Sequence, residues 1–240
     1  ADFQTEYVTT AIDALLKENR ALLEQVRSDR QPVTWQNFVQ PMVDANERLS
    51  RAWGQVSHLN AVMNNLQLRE VYNQNLPLIT QFYAELSQDL ALFEKFKQLR
   101  KSNEFQGLST ARKKIIDNEL RDFRLGGAEL TADKKQRFLE IQEALSKLSS
   151  NFSDNLLDAT NAFALYIENE ETVKGIPNDV LQMAQEQAAA DTKVGWKFTL
   201  HMPSYLPVMQ YANNRDLREK MYHAYVTRAS ELERITEADL

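Results

Sequence analysis

A mainly α-helical fold, a multi-helix antiparallel bundle-like domain with one short two-stranded β element, is what this sequence predicts, and three observations carry it. Apolar residues recur at steps of three and four along most of the 240 residues, which holds them on one face of a 3.6-residue helix. Only 6 glycines and 6 prolines punctuate the chain, fewer than a turn-rich all-β fold needs. One stretch, Trp196-Lys197-Phe198-Thr199-Leu200, alternates strictly with aromatic and β-branched content, the pattern of a strand.

Taken in order, Val8, Ile12, Leu15, Leu22 and Val26 mark a first amphipathic helix. Thr34 is placed to cap a second, with the stripe Phe38, Met42, Ala45, Leu49, Ala52, Val56; Pro41 inside it predicts a kink or a join, since proline removes a backbone donor. A third stretch carries Leu68, Tyr72, Ile79, Phe82, Leu86, Leu90 and Phe93, with Pro77 inside. Ser109 caps a helix through Ile115, Ile116, Leu120 and Phe123, which Gly126-Gly127 stops, glycine taking the left-handed conformation cheaply. Thr131 opens the next, running toward Asp158, with Phe138, Ile141, Leu145, Leu148 and Phe152 expected along its buried face. A short alternation from Phe163 to Ile167 precedes a turn at Gly175-Ile176-Pro177-Asn178, an alanine-rich helix from Asp179 to Ala190, and the strand at Trp196; the two extended pieces flank one helix and are able to pair. Pro203 and Pro207 bracket a tight segment, after which Asn213 or Asn214 caps a last helix through Leu217, Met221, Ala224 and Tyr225. No fixed-period repeat and no Pro/Gly/Ser-rich linker divides the chain, so one compact helical unit is expected.

Composition narrows the function classes. Hydrophobic residues make up 43% and charged residues 26%, the balance of a globular protein rather than a disordered one. The net charge of -6 argues against a nucleic-acid surface, which needs clustered Lys and Arg. No cysteine occurs, so there is no disulfide framework, thiolate site or cysteine nucleophile. No apolar run nears the ~20 residues that span a bilayer, and the start lacks a basic region followed by an apolar stretch. A cytoplasmic location, without membrane partners, is the simplest reading.

Motifs that carry chemistry are missing. A zinc peptidase of the H-E-x-x-H type sets two imidazoles one helical turn apart so that both reach one ion, with the glutamate polarising its water. The three histidines, His58, His201 and His223, share no turn. G-x-S-x-G, the P-loop and G-x-G-x-x-G are also absent. His58 is read as a histidine bonded to backbone near a helix end rather than a ligand or base, and His201 and His223 as strand or turn and helix-face residues. Asp154 and Asp158 stand four apart and can share a cation, but a pair without further ligands reads first as a solvated face. Glu168, Glu170 and Glu171 form an exposed acidic loop; Arg112-Lys113-Lys114 and Lys134-Lys135 read as solvent-facing. Trp35, Trp53 and Trp196 read as core, with Trp196 alone positioned to line a groove.

A set of short strings carries a resemblance: Trp35-Gln36-Asn37, Val56-Ser57-His58-Leu59-Asn60, DNELRDFRL from Asp117 to Leu125 followed by Gly126-Gly127, Asn155-Leu156-Leu157-Asp158-Ala159-Thr160, Pro203-Ser204-Tyr205-Leu206-Pro207-Val208-Met209, and Leu217-Arg218-Glu219-Lys220-Met221-Tyr222 with Ala224-Tyr225 and Thr227-Arg228-Ala229-Ser230. Each is weak alone; in this order and spacing they make the chain resemble the N-terminal region of the thimet oligopeptidase and oligopeptidase A family, nearest its bacterial oligopeptidase A members. The resemblance implies a zinc-dependent endopeptidase of short peptides, with two helical lobes around a deep channel. It places the zinc ligands and the general-base glutamate in a C-terminal lobe, expected beyond residue 240, and makes residues 1–240 a single helical N-terminal domain forming the opposite wall.

The resemblance therefore assigns no catalytic, cofactor-binding or metal residue to this chain, which is expected to be inactive alone as a fragment. It leaves the start a few residues short of the family pattern and gives residues 231–240 no family signature. The implied partners are short peptides and the C-terminal lobe, with zinc as the cofactor of the full-length protein. The alternative is a non-catalytic helical peptide-binding or scaffold module; a standalone enzyme using His58 or the Asp154/Asp158 pair has no visible supporting residues. A wall facing another lobe is further expected to expose more apolar surface than an ordinary monomer, inviting self-association.

Overall fold

A computed structural model describes residues 3–63 and 65–230; the reading of the first two residues and of 231–240 lies outside the described residues. The mainly α fold with one two-stranded ribbon is as the sequence predicts. Contacts divide the chain into two compact units, split between Leu148 and Ser149.

In the first unit, α1 (Val8–Ser28) buries Val8, Ile12, Leu16, Leu23 and Val26. The ridge runs through Leu16 and Leu23, with the predicted Leu15 and Leu22 packed at its edge; neighbours sit only 100° apart, so the apolar arc accommodates both. The Asn19 amide, buried on the same helix, donates to the carbonyls of Leu15 (2.9 Å) and Ala45 (3.3 Å). Thr34 caps as expected. Its hydroxyl accepts from the Asn37 N–H at 3.1 Å while Asn37 Oδ1 accepts from the Thr34 N–H at 2.8 Å, satisfying two orphan donors reciprocally. A wide π-type turn, Trp35–Val39, leads from this cap into α2 (Gln40–Val62), which has Pro41 in its first turn. Proline lacks a donor only where none is used, so Pro41 marks a join.

The stretch predicted as one helix through Phe93 is two. The α3 helix (Leu66–Ser87) holds Pro77, and Asp89 then accepts from the Leu92 N–H at 3.0 Å to open α4 (Leu90–Lys101). Asp89 also pairs with Arg27 at 2.5 Å, joining the ends of α1 and α4. Ser102 caps the short α5 (Asn103–Gly107), and Ser109 caps α6 (Thr110–Leu125). The end of α6 is a Schellman closure: the Ala128 N–H reaches the Phe123 carbonyl (2.9 Å) and the Gly127 N–H that of Arg124 (3.2 Å). Gly127 takes φ +92 there, a value that favours glycine. Phe38, Phe93, Phe96 and Phe123 interlock at the centre of this unit.

The next helix overturns an expectation. The α7 helix (Ala132–Ala162) runs 31 residues, and of these only Thr160 is buried. Ile141, Leu145, Leu148 and Phe152, expected in the core, are exposed. Its visible ties within the first unit are polar instead: Thr80 to Ser146 at 2.9 Å, and a reciprocal pair in which the Lys135 ammonium donates to the Gln88 carbonyl (2.7 Å) and the Gln88 amide to the Lys135 carbonyl (3.3 Å).

In the second unit, β1 (Leu165–Ile167) pairs antiparallel with β2 (Trp196–Phe198), Leu165 opposite Phe198 and Ile167 opposite Trp196. Between them lies α8 (Asn178–Ala190). The proline-bracketed segment is a helix, α9 (Met202–Tyr211), contrary to the sequence reading. Pro203 falls in its first turn, where it is harmless, and Pro207 forfeits one bond while Tyr205 and Val208 are buried around it. Asn214 caps α10 (Arg215–Val226), accepting from the Leu217 N–H at 2.9 Å. Val173, Ile176, Phe198, Leu200, Val208, Leu217 and Met221 form this core.

Candidate functional site

The histidines do not assemble into a site. His58 is exposed on α2 in the first unit. In the second, His201 is the exposed residue before α9, its carbonyl accepting from the N–H groups of Ser204 and Tyr205, and His223 is exposed on α10. Asp154, half-buried, and exposed Asp158 lie a turn apart on α7, each engaged with neighbours of its own. Glu168, Glu170 and Glu171 are exposed as expected, with Glu171 paired to Lys174 at 2.6 Å. Among the described residues no group of three or more His, Asp or Glu converges as a metal site would require.

The basic runs are less free than their sequence suggests. The Arg112 guanidinium lies 4.7 Å over the Trp35 ring, and the Lys113 ammonium donates to the Gln106 carbonyl at 2.8 Å, tying α5 to α6. A long cationic side chain lays its stem along apolar surface, a role that composition alone does not reveal. Trp35 is core, with its N–H donating to Glu104 (2.7 Å) and its Nε1 to Gln40 (2.9 Å). Trp53 stacks on Tyr72 at 4.9 Å. Trp196 is half-buried on β2, its Nε1 buried without an acceptor among the described residues.

Three of the family-like strings meet at one place in the second unit. Tyr205 of α9 stacks on Tyr225 of α10 with ring centroids 4.1 Å apart. Arg228 covers Tyr225 at 3.6 Å, donates through Nε to the Tyr225 carbonyl (2.8 Å), and through Nη1 to Thr160 Oγ1 (3.1 Å). Thr160 in turn donates to the Leu156 carbonyl at 2.7 Å. The guanidinium thus clamps the end of α10 to the end of α7, with cation–π attraction added to two hydrogen bonds. Burial, followed by the neighbouring Tyr225 and Tyr222, raises the Tyr205 phenol pKa, so the Tyr205 hydroxyl keeps its proton at physiological pH. Elsewhere in the second unit, exposed Asp191 accepts from Lys197 (2.5 Å) and Tyr166 (2.7 Å), and the Lys197 bond is the main reason its carboxyl pKa is lowered. In both clusters the polar side chains are taken up with one another: Asp191 by Lys197 and Tyr166, and Thr160 by Arg228 and the Leu156 carbonyl. Their chemistry is that of fasteners.

Glu119, inside the DNELRDFRL string, is the half-buried carboxylate whose burial, aided by the Asp122 charge, raises its pKa. A raised folded-state pKa means that ionisation opposes folding. The stability attached to the protonated form is full below the unfolded pKa and lost as pH rises through the folded one. Glu119→Gln is therefore expected to stabilise the chain at pH 7 and to leave it unchanged at pH 4. Urea midpoints at the two pH values check this; equal midpoints for both chains at pH 7 would sink it.

Comparison with known proteins leads to the same family as these strings. A family model described as the neurolysin/thimet oligopeptidase N-terminal domain matches residues 12–135. Oligopeptidase A of Haemophilus influenzae is 46% identical over 232 residues, covering 96% of this chain and 34% of that protein. Oligopeptidase A of Escherichia coli K12 is 41% identical over 226 residues, 94% of this chain and 33% of that protein. A probable cytosolic oligopeptidase A of Arabidopsis thaliana is 38% identical over 232 residues, 93% and 33% respectively. The chain spans about a third of the length of the curated relatives it matches.

Proposed function

The chain belongs to the neurolysin/thimet oligopeptidase family, as part of its N-terminal region, and from that membership we propose that it forms one wall of the channel of a zinc-dependent endopeptidase acting on short peptides. The observation that supports this reading is a match along 96% of the chain to a protein named oligopeptidase A. In this reading residues 1–240 act as one N-terminal channel-wall domain, and the zinc ligands and general base come from a C-terminal lobe. The donor set here does not fit zinc. Three or four side chains must converge on the ion, and among the described residues no such group forms. In this reading the steps of hydrolysis run through the C-terminal lobe, and the chain alone is inactive.

What the wall contributes is access. Helices held by interlocked phenylalanines and by clamps such as Arg228 resist widening, and a narrow rigid channel admits only a short flexible chain. The partners are accordingly short peptides and the C-terminal lobe, not nucleic acid or membrane. No helix among the described residues is long and apolar enough to cross a membrane. The compartment proposed with this reading is the cytoplasm.

The test is a chimera in which this chain replaces the matched N-terminal third of the Haemophilus influenzae protein. It is expected to hydrolyse a short quenched-fluorescent peptide and to spare a folded protein substrate. A folded chimera that cleaves neither, or both alike, contradicts the channel-wall reading.

A further inference from the structure

Helix α7 is amphipathic the wrong way round for a helix that ends its packing in the first unit. Within that unit Phe138, Ile141, Leu145 and Leu148 succeed one another at steps of three, four and three, the spacing of a coiled-coil seam. Ile141 is 41% exposed, Leu145 52% and Leu148 63%. At 100° per residue the seam lies roughly a third of a turn around the helix from Lys135 and Ser146, the residues that tie it to α3. The unit thus holds α7 by its polar side and leaves the apolar side outward. Along the stretch from Ile141 to Leu148 the flanking residues Gln142 and Ala144 carry no charge; charge enters only at the start of the seam, where exposed Lys134 and Arg137 stand beside Phe138 and Arg137 is paired with Glu140 at 3.2 Å. A long helix with one buried residue draws little stability from propensity alone and is ordinarily fixed by packing its apolar face.

We propose that the Phe138–Ile141–Leu145–Leu148 seam is the seat for an apolar helix supplied by the remaining two thirds of the family polypeptide. This rests on the family reading above and names the surface through which that partner lobe docks. Area decides against a second copy of this chain as the occupant. A fully buried leucine side chain corresponds to about 100 Å², so these half-exposed residues offer on the order of 200 Å² per copy, and two copies about 400 Å². A stable dimer buries about 1,200 Å² or more. A seat this small holds a partner when the two are tethered, because effective concentrations then reach about the millimolar range, and in the relatives about two thirds of the chain lies outside the matched part.

Because the chain has no cysteine, Leu145→Cys introduces a thiol that site-resolved mass spectrometry tracks directly. Maleimide labelling is measured in the 240-residue chain and in the chimera described above, with Glu140→Cys on the exposed far side of α7 as control. The expected result is rapid labelling of both sites in the short chain, and in the chimera at least tenfold slower labelling at 145 with the rate at 140 unchanged. Equal rates at 145 in the two proteins overturn the proposal, as does a chimera that fails to fold while the short chain folds. Protection at 145 in the short chain that grows with its concentration would make a second copy the occupant and also overturn it. The peptide assay on the same chimera separates the two claims. Hydrolysis with 145 still reactive removes the docking seat alone, whereas protection without hydrolysis removes the enzymatic reading alone.

Discussion

Phe96→Ala is expected to destabilise the chain by about 3–5 kcal/mol, the range for deleting a buried aromatic. Phe96 is 2% exposed. Its ring stands edge-on to Phe38 at 4.6 Å and tilted to Phe123 at 5.6 Å, with Phe93 a further 5.8 Å from Phe123. These neighbours come from three separate stretches of chain and are themselves buried, so they cannot collapse together into the space left behind, and the cavity term is retained in full. Against a total stability of about 5–15 kcal/mol for a domain, that loss is large. Phe96→Leu keeps most of the volume and is expected to lose about 1–2 kcal/mol. Urea unfolding monitored by circular dichroism checks both; a loss under about 1 kcal/mol for the alanine variant would mean the ring is not packed as described.

Gly175→Ala is the second large effect, expected at about 2–4 kcal/mol from backbone strain plus a clash. Gly175 has φ +94, and a Cβ there would fall onto the Tyr211 carbonyl oxygen and come within 2.8 Å of Asn213 Oδ1. The obstacle is backbone, held in place because the Asn213 N–H donates to the Lys174 carbonyl at 2.8 Å and Ala212 beside it is buried. The turn therefore cannot shift without opening the core between Ile176 and Val208. Trp196, in the same unit, provides a fluorescence readout of the melt. An alanine variant as stable as the parent would show that the loop relaxes freely.

Much of this fold was legible. Thr34, Ser109, Gly126-Gly127 and Asn214 announce helix ends because capping is local chemistry, readable over four residues. The ribbon was legible from the alternation around Trp196. Asp89 was missed because the apolar spacing runs on through it, and periodicity outvoted a cap that begins a new helix on the same register. Pro203 and Pro207 misled because proline signals a turn on average, whereas a helix's first turn accepts it. The division into two cores has no linker to betray it, since the boundary falls within a helix. The buried face assigned to α7 failed for a different reason: an apolar stripe states that a helix will pack, and not against what.

The strings that carry the family resemblance turn out to encode caps, core and fasteners, including Asn37's half of the Thr34 box, Phe123 and the Arg228 clamp. That is why they identify a lineage without identifying a reaction. On the proposed reading the chemistry lies in the other lobe, and this makes the central claim simple to test. The purified 240-residue chain is incubated with a short quenched-fluorescent peptide, first with zinc added and then with a chelator. No turnover above buffer in either condition is the result predicted for a channel wall without its catalytic lobe. Chelator-sensitive turnover that scales with the chain and persists through purification would contradict it, and would require a metal site among these residues.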